Sequence, residues 1–401
     1  MSPTRTDVDP DFDHFHDVEL PRRLRTAPGL QAAGDVCQQP SLAFRLRDGR
    51  AYTYTPGSPT ITIASGERAA HTVVELDAAA WADFATERRS IPSLLYGKML
   101  VIARGDANVL FGWEPALRAL LQERPIYDVS TLDLRDENGA PLNLAKTFTG
   151  ASAPAAVARF VSEAGFAVVR GVFSSEEIAT LAGEADRLAA AARQGDRRSW
   201  WARNGDGEQI LCRVTYTPLM SEAIAALIDD SRLRNLARAF APDYVPAPDR
   251  LDGVALIIKN PNVVDGLSDL PWHIDCGMGG HPALCPVLQI TVVLDAASED
   301  TGTLKFLAGS HRFVTRMPAD ESALPVVTVA AEPGDCVLHL SDTMHAAPPP
   351  RGAARYRRSL VTSFYRPSVL DVVPPGQGFN DVLLSREDGH VENLRQMTSG
   401  S

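Results

Sequence analysis

Apolar and polar positions begin to alternate at Leu42. Leu42-Ala-Phe-Arg-Leu-Arg reads as a half-buried strand, because side chains two apart on an extended chain share a face. Asp48-Gly49 suits a hairpin turn, and Ala51-Tyr-Thr-Tyr-Thr is the return strand. Thr60-Ile-Thr-Ile-Ala and His71-Thr-Val-Val-Glu-Leu read as two more strands. Asp77 is placed to cap a helix from Ala78 to about Thr86. Leu94 to Gly97 reads as a turn into the strand Met99-Leu-Val-Ile-Ala-Arg, which Gly105-Asp106 ends, and Trp113 to Leu121 reads as a closing helix. This order predicts a small α+β domain over residues 39–125.

Residues 126–152 carry Asp136, Glu137, Asn138, Gly139 and Pro141 and read as a linker. A second domain, 153–401, follows. Ala155 to Ala164 is helical in pattern, and Gly165-Phe-Ala-Val-Val-Arg-Gly-Val-Phe is a strand. Ser174-Ser-Glu-Glu supplies an N-cap and an acidic first turn. The helix behind it, Ile178 to about Ala192, places Ile178, Leu181, Ala185 and Leu188 on one face. From residue 253 short β-type segments separated by Gly, Pro and Asp dominate. Val254 to Lys259, Val287 to Leu294, Thr303 to Leu307, Val326 to Ala330, Asp335 to Leu340 and Ser359 to Tyr365 are the clearest. That punctuation predicts a jelly roll.

Composition narrows the picture. The 401 residues are 45% hydrophobic, enough for two cores. A formal net charge of -11 argues against a nucleic-acid partner or a broad anionic-membrane surface. No segment is apolar and long enough to span a bilayer, so no integral membrane contact is expected, and the N-terminus lacks a secretory h-region. Cys37, Cys212, Cys276, Cys285 and Cys336 are odd in number and irregular in spacing, which points away from a disulfide framework and toward the reducing cytoplasm. Residues 1–38 are polar, with clustered Asp, and are expected to form a flexible leader. Asp13, His14, His16 and Asp17 lie there. They are read as a solvated acidic tail, because nothing nearby builds a dry, rigid ligand shell.

The run of hairpin strands, the Leu76-Asp77 strand-to-helix step with Trp81 and Phe84, and the segment Lys98-Met-Leu-Val-Ile-Ala-Arg-Gly-Asp together resemble the sterol-carrier-protein-like lipid-binding domain. The resemblance implies an apolar cavity. Ligand binding and a purely packing role stay equally open.

Candidate chemistry centres on Pro271-Trp-His-Ile-Asp-Cys-Gly. His273 and Asp275 lie two apart, so on an extended chain an imidazole and a carboxylate face one ion. His345, in Ser341-Asp-Thr-Met-His-Ala, is the candidate third ligand. Two His and one carboxylate form the facial triad of non-haem Fe(II) oxygenases, which leaves coordination sites open.

The surrounding segments are Thr301-Gly-Thr-Leu-Lys-Phe-Leu-Ala-Gly-Ser-His, Pro333-Gly-Asp and Arg357-Arg-Ser-Leu-Val-Thr-Ser-Phe-Tyr, with Gly165-Phe-Ala-Val-Val-Arg-Gly-Val-Phe-Ser-Ser-Glu-Glu at the start. Together they resemble the phytanoyl-CoA dioxygenase family over about residues 154–367. The resemblance implies an α+β protein whose second domain is a double-stranded β-helix, a jelly roll with flanking helices. It implies Fe(II) held by His273, Asp275 and His345, with 2-oxoglutarate and O2 as co-substrates. The family's co-substrate arginine falls on Arg355, Arg357 or Arg358, and spacing to Phe364 favours Arg357. Ser359, on the same strand face, can share the carboxylate. Thr291 and Gln289 are further candidates for co-substrate contact, and so is Lys259 on an earlier strand. The retained Asp275 favours hydroxylation or another oxidation over halogenation. The substrate class is a small, largely apolar organic molecule: lipid-like, steroid-like or a secondary metabolite. Two rivals are a small-molecule carrier with an inactive barrel and a jelly-roll metal enzyme that does not use 2-oxoglutarate.

Other residues read less sharply. Cys276, His281 and Cys285 have zinc-ligand types but lack a fourth partner. His311 reads as a turn residue and His339 as a satisfied core histidine. Trp200 and Trp201, with Arg197, Arg198 and Arg203, read as a surface loop or a substrate lid.

Overall fold

Strand β1 (Leu42–Leu46) turns back into β2 (Ala51–Thr55) at Asp48-Gly49, where Gly49 takes φ 96°, a conformation that a side chain would strain. With β3 (Thr62–Ser65), β4 (Thr72–Leu76) and β5 (Leu100–Arg104) these form a sheet of order β3-β2-β1-β4-β5, in which β1 and β4 run parallel. This computed structural model describes residues 10–247, 253–266, 270–275, 287–317, 320–351, 356–367 and 389–391. Asp77 caps the helix Ala78–Ala85 by accepting from the Ala80 N–H at 2.8 Å. Trp81 and Trp113 are buried to 1% and 0% exposure. Each such side chain contributes roughly 2–3 kcal/mol of burial.

Four departures from the sequence reading fall in this half. Residues 12–35 are not a loose leader: short helical segments and the helix Ala27–Asp35 carry Phe12, Phe15, Leu20, Leu24 and Ala32 into the same core as Trp81. Asp and His between those apolar positions hide a helical spacing, and Thr26 caps the last helix through the Gly29 N–H. His16 is neither a solvated residue nor a metal ligand. It stacks on Tyr52 at 4.2 Å and meets the Tyr54 hydroxyl at 2.8 Å. Leu94 to Tyr96 belong to a helix, Ile91–Tyr96, which Ser90 caps, whose first turn Pro92 fits and which Gly97 ends. The closing helix starts earlier than expected, at Ala107, where Asp106 caps it.

The stretch 126–152 lies along the second half. The Tyr127 N–H donates to Val314 O at 2.7 Å, and Leu134, Leu142 and Leu144 pack against the second core. Arg316 adds a paired contact to Asp35 at 2.7 Å.

The second half holds two facing sheets. The larger runs β12-β8-β9-β11-β19-β14-β17-β7-β6, with β10 also on β19. In chain order its strands are β6 (Phe148–Thr149), β7 (Phe166–Arg170), β8 (Ser199–Asn204), β9 (Gln209–Val214), β10 (Val245–Pro246), β11 (Val254–Lys259), β12 (Val263–Asp265), β14 (Leu288–Val293), β17 (Cys336–Leu340) and β19 (Arg357–Tyr365). The smaller runs β13-β18-β15-β16, from β13 (Leu270–His273), β15 (Lys305–Leu307), β16 (Val326–Thr328) and β18 (His345–Ala347). A mixed α/β chain with these sheets is consistent with the expected jelly roll. The helix Ser175–Ala191 buries Ile178, Leu181, Ala185 and Leu188, the four residues its periodicity placed on one face. Its capping box is complete: Ser174 Oγ accepts from the Glu177 N–H, and Glu177 accepts from the Ser174 N–H at 2.7 Å. Among the described residues no helix is long and apolar enough to cross a membrane.

The expected segments 254–259, 287–294, 335–340 and 359–365 all fall on strands of the large sheet. Trp200 and Trp201 stand on β8 rather than in a loop, with Trp200 buried under the Arg213 guanidinium at 4.7 Å.

Candidate metal centre

Strands β13 and β18 pair antiparallel with His273 directly opposite His345. Cross-strand neighbours on one face touch, and here the two ring centroids are 4.2 Å apart. Asp275 follows two residues on, where its backbone N–H donates to Ser341 O at 2.9 Å, just beyond the end of β17. One donor atom from each of His273, Asp275 and His345 then lies within 4.8 Å of the others.

Hydrogen bonding decides which atoms face inward. His273 Nδ1 lies 2.7 Å from Pro271 O, and His345 Nδ1 lies 2.8 Å from Thr343 O. A carbonyl only accepts, so each Nδ1 carries the proton and each Nε2 is left with a lone pair. Those two Nε2 atoms stand 3.4 and 3.7 Å from Asp275 Oδ1. Three electron-rich atoms aimed at one another are unfavourable until a cation lies among them, so this donor set fits a metal ion.

Electrostatics agree. Burial, and then the neighbouring His273, push the His345 imidazole down to about 3, so it is neutral at physiological pH, as a metal requires. Burial alone would raise the Asp275 carboxyl, yet it is held well below its ordinary value, and the His339 contact at 3.2 Å favours its ionised form.

The backbone supports His345 in turn. Gly165, at φ 89°, lets the helix Pro154–Ala164 pass into β7 beneath Thr343, whose carbonyl orients the ring. A Cβ at Gly165 would sit 2.6 Å from Thr343 Oγ1. Phe306, opposite His345 on β15, stacks on Phe166 at 4.8 Å and forms an apolar wall.

Of the arginine candidates, Arg358 faces the helical layer, where it is committed to Asp295 at 2.8 Å and to Asp186. Arg355 lies outside the described residues, as do Cys276, His281 and Cys285. Arg357 is on the opposite face of β19 and is 4% exposed. Its Nη2 donates to Gly302 O at 3.0 Å, while its buried Nε has no hydrogen-bond partner among the described residues. Burial lowers the guanidinium to about 10, against the pull of Asp295, and it stays charged at neutral pH. A buried cation with an unused N–H fits a carboxylate such as the distal one of 2-oxoglutarate.

The remaining predicted residues spread along the same layer. Ser359 is buried two residues beyond Arg357. Lys259 faces Arg357 in the β11–β19 register, and its Nζ donates to Ala347 O on β18. Gln289 accepts from Ser363 Oγ at 2.5 Å and stands opposite His339, and Thr291 is buried two residues further along β14. His311 holds a turn, with Nε2 3.1 Å from Ser162 O. His339 is not a satisfied core histidine: its Nε2 lies 3.2 Å from Asp275 Oδ2, and its Nδ1 is buried without a partner among the described residues. Its alternation onto one face of its strand was legible, but its meeting with Asp275 depends on how the two sheets face each other.

Residues 161–359, which include His273, Asp275, His345 and Arg357, match the phytanoyl-CoA dioxygenase (PhyH) family, and the chain carries a domain of that family. Among solved structures the chain is similar to AviO1 from Streptomyces viridochromogenes Tue57, at 27% identity over 56% of this chain and 99% of that one, with a TM-score of 0.43. It is also similar to the epimerase SnoN in complex with Fe3+, alpha ketoglutarate and nogalamycin RO, at 22% identity over 60% and 98%, TM-score 0.43. A third is EctD from S. alaskensis with 2-oxoglutarate and 5-hydroxyectoine, at 20% identity over 59% and 83%, TM-score 0.43. No curated protein matches the chain. The family domain supports an enzyme of the Fe(II)/2-oxoglutarate superfamily, and the donor set and Arg357 fit Fe(II), 2-oxoglutarate and O2.

Proposed function

We propose that the protein is a non-haem dioxygenase that hydroxylates a small, largely apolar organic substrate with release of succinate and CO2. The observation that carries this reading is the convergence of His273, Asp275 and His345, donor atoms bare, inside a PhyH family domain. Iron, 2-oxoglutarate and O2 together supply an oxidant able to attack an unactivated C–H bond. The chain's own residues hold and orient. His273 and His345 each offer Nε2, and Asp275 offers a carboxylate oxygen. Arg357 would hold the distal carboxylate of 2-oxoglutarate through its buried guanidinium, and Ser359 would share it. Gln289, Thr291 and Lys259 line the same layer. The stacked rings of Phe166 and Phe306 exclude water from one side. No side chain has to act as a general base.

In this reading residues 39–125 are a sterol-carrier-like domain joined through 126–152 to the oxygenase domain, 153–401. Arg316 of the second half pairs with Asp35 of the first at 2.7 Å, which supports a packing role for the first domain. The free thiols of Cys37, Cys212 and Cys336 support a cytoplasmic setting.

The test is incubation with Fe(II), 2-oxoglutarate and pools of apolar metabolites. Substrate-dependent succinate, coupled to the gain of one oxygen atom in one compound, is expected. Oxidation that needs no 2-oxoglutarate would contradict the reading.

A further inference from the structure

His339 differs from the two triad imidazoles in the nitrogen that carries its proton. His273 and His345 give Nδ1–H to carbonyls and keep Nε2 bare. At His339 the partner is Asp275 Oδ2, 3.2 Å from Nε2. An ionised carboxylate only accepts, so at this ring Nε2 carries the proton. A nitrogen that donates to Asp275 has no lone pair for a metal, and His339 stands outside the three-residue cluster. Its position is also distinct. The two triad histidines sit on the small sheet, whereas His339 is on β17 of the large sheet, 4% exposed, with its ring centroid 4.5 Å from that of His345.

We propose that His339 is a positioning residue that holds Asp275 Oδ2, so that Asp275 meets the metal through Oδ1 alone. The inference rests on the metal centre proposed above. A carboxylate can bind a cation through one oxygen or through both. Two-oxygen binding would occupy a further coordination position, one of those the co-substrates need. The Ser341 carbonyl fixes the Asp275 backbone, which leaves rotation of the carboxylate about its own axis free. The His339 N–H removes that freedom. Phe306, centred 5.3 Å from the His339 ring and 5.9 Å from the His345 ring, packs against both and restricts their tilt.

The test measures metal binding without turnover. Wild type, His339→Gln, His339→Asn and His339→Phe are titrated with Fe(II) under anaerobic conditions, with and without 2-oxoglutarate. Thermal melting of each variant is recorded alongside. A Gln amide N–H reaches where ring Nε2–H was, and an Asn amide reaches only as far as Nδ1. The expected result is near wild-type affinity for His339→Gln and about 10–100-fold weaker Fe(II) binding for His339→Asn and His339→Phe, the usual loss when a metal ligand's hydrogen-bond partner is removed. The visible band of the 2-oxoglutarate chelate should shift in those two variants and not in His339→Gln. Asn binding as tightly as wild type would overturn the proposal. So would Gln binding as weakly as Asn, which would assign the effect to ring packing. If His339→Phe does not fold, the Gln and Asn pair decides alone. Wild type failing to bind Fe(II) would overturn the metal centre and this inference together, whereas intact binding in every variant would overturn this inference alone.

Discussion

Arg357 on β19 stands directly opposite Lys259 on β11, two cations side by side in one buried layer. Lys259 is spent on the Ala347 carbonyl of β18, which ties the large sheet to the strand of His345. Arg357 keeps a buried N–H without a partner among the described residues. Such a pair is stable only if anionic or carbonyl oxygens meet it.

Arg357→Ala should therefore raise the apparent 2-oxoglutarate requirement by about 10–100-fold, the equivalent of losing a charge-assisted hydrogen bond of roughly 1.5–3 kcal/mol. Arg357→Lys should rescue poorly, because a point charge cannot make two parallel bonds. Steady-state rates against 2-oxoglutarate concentration measure this.

Arg358→Ala should leave that requirement unchanged. Its guanidinium holds Asp295 and Asp186 on the helical side. Losing those partly exposed pairs should cost on the order of 1 kcal/mol in denaturant unfolding. A 2-oxoglutarate effect in Arg358→Ala and none in Arg357→Ala would reverse the assignment of the two faces of β19.

The buried start of the chain gives a third expectation. Phe15 is 2% exposed, so Phe15→Ala should destabilise by roughly 3–5 kcal/mol, as large-to-small core changes do. A solvated leader would predict no change. Urea unfolding separates the two.

His16 adds a pH dependence. Burial pushes its imidazole down to about 4, against opposing contributions from the Phe12 carbonyl, Asp13 and Asp17. The unfolded chain takes up that proton near pH 6.5 and the folded chain only near 4. Between those values the unfolded state binds more protons, so stability falls as pH falls, by up to ~3 kcal/mol. The melting temperature of wild type should drop more steeply over that window than that of His16→Gln. Equal slopes would remove His16 from the account.

Much of this was legible because local rules and the final fold agreed. The Ile178, Leu181, Ala185 and Leu188 stripe is buried, and the Ser174 and Asp77 caps stand where their side-chain chemistry placed them. Spacing proposed His273 and Asp275 as a pair, and the segments around them strengthened it. His345 was found through the pattern around it. What escaped depended on distant partners. Phe12, Phe15 and Leu20 become a buried face only once the Trp81 core exists, and between charged neighbours they read as tail. Likewise β8 and β9 do not alternate cleanly, yet they pair over five residue positions within the large sheet, between β12 and β11. His339 needed the opposing sheet before its neighbour could be known.

Anaerobic titration of the metal-free protein with Fe(II) and 2-oxoglutarate tests the centre most directly. Wild type should bind one Fe(II) per chain and develop the weak visible charge-transfer band of a chelated 2-oxo acid, and Asp275→Ala and His345→Ala should lose both. A band of full strength in either variant, or no Fe(II) uptake by folded wild type, would contradict the account.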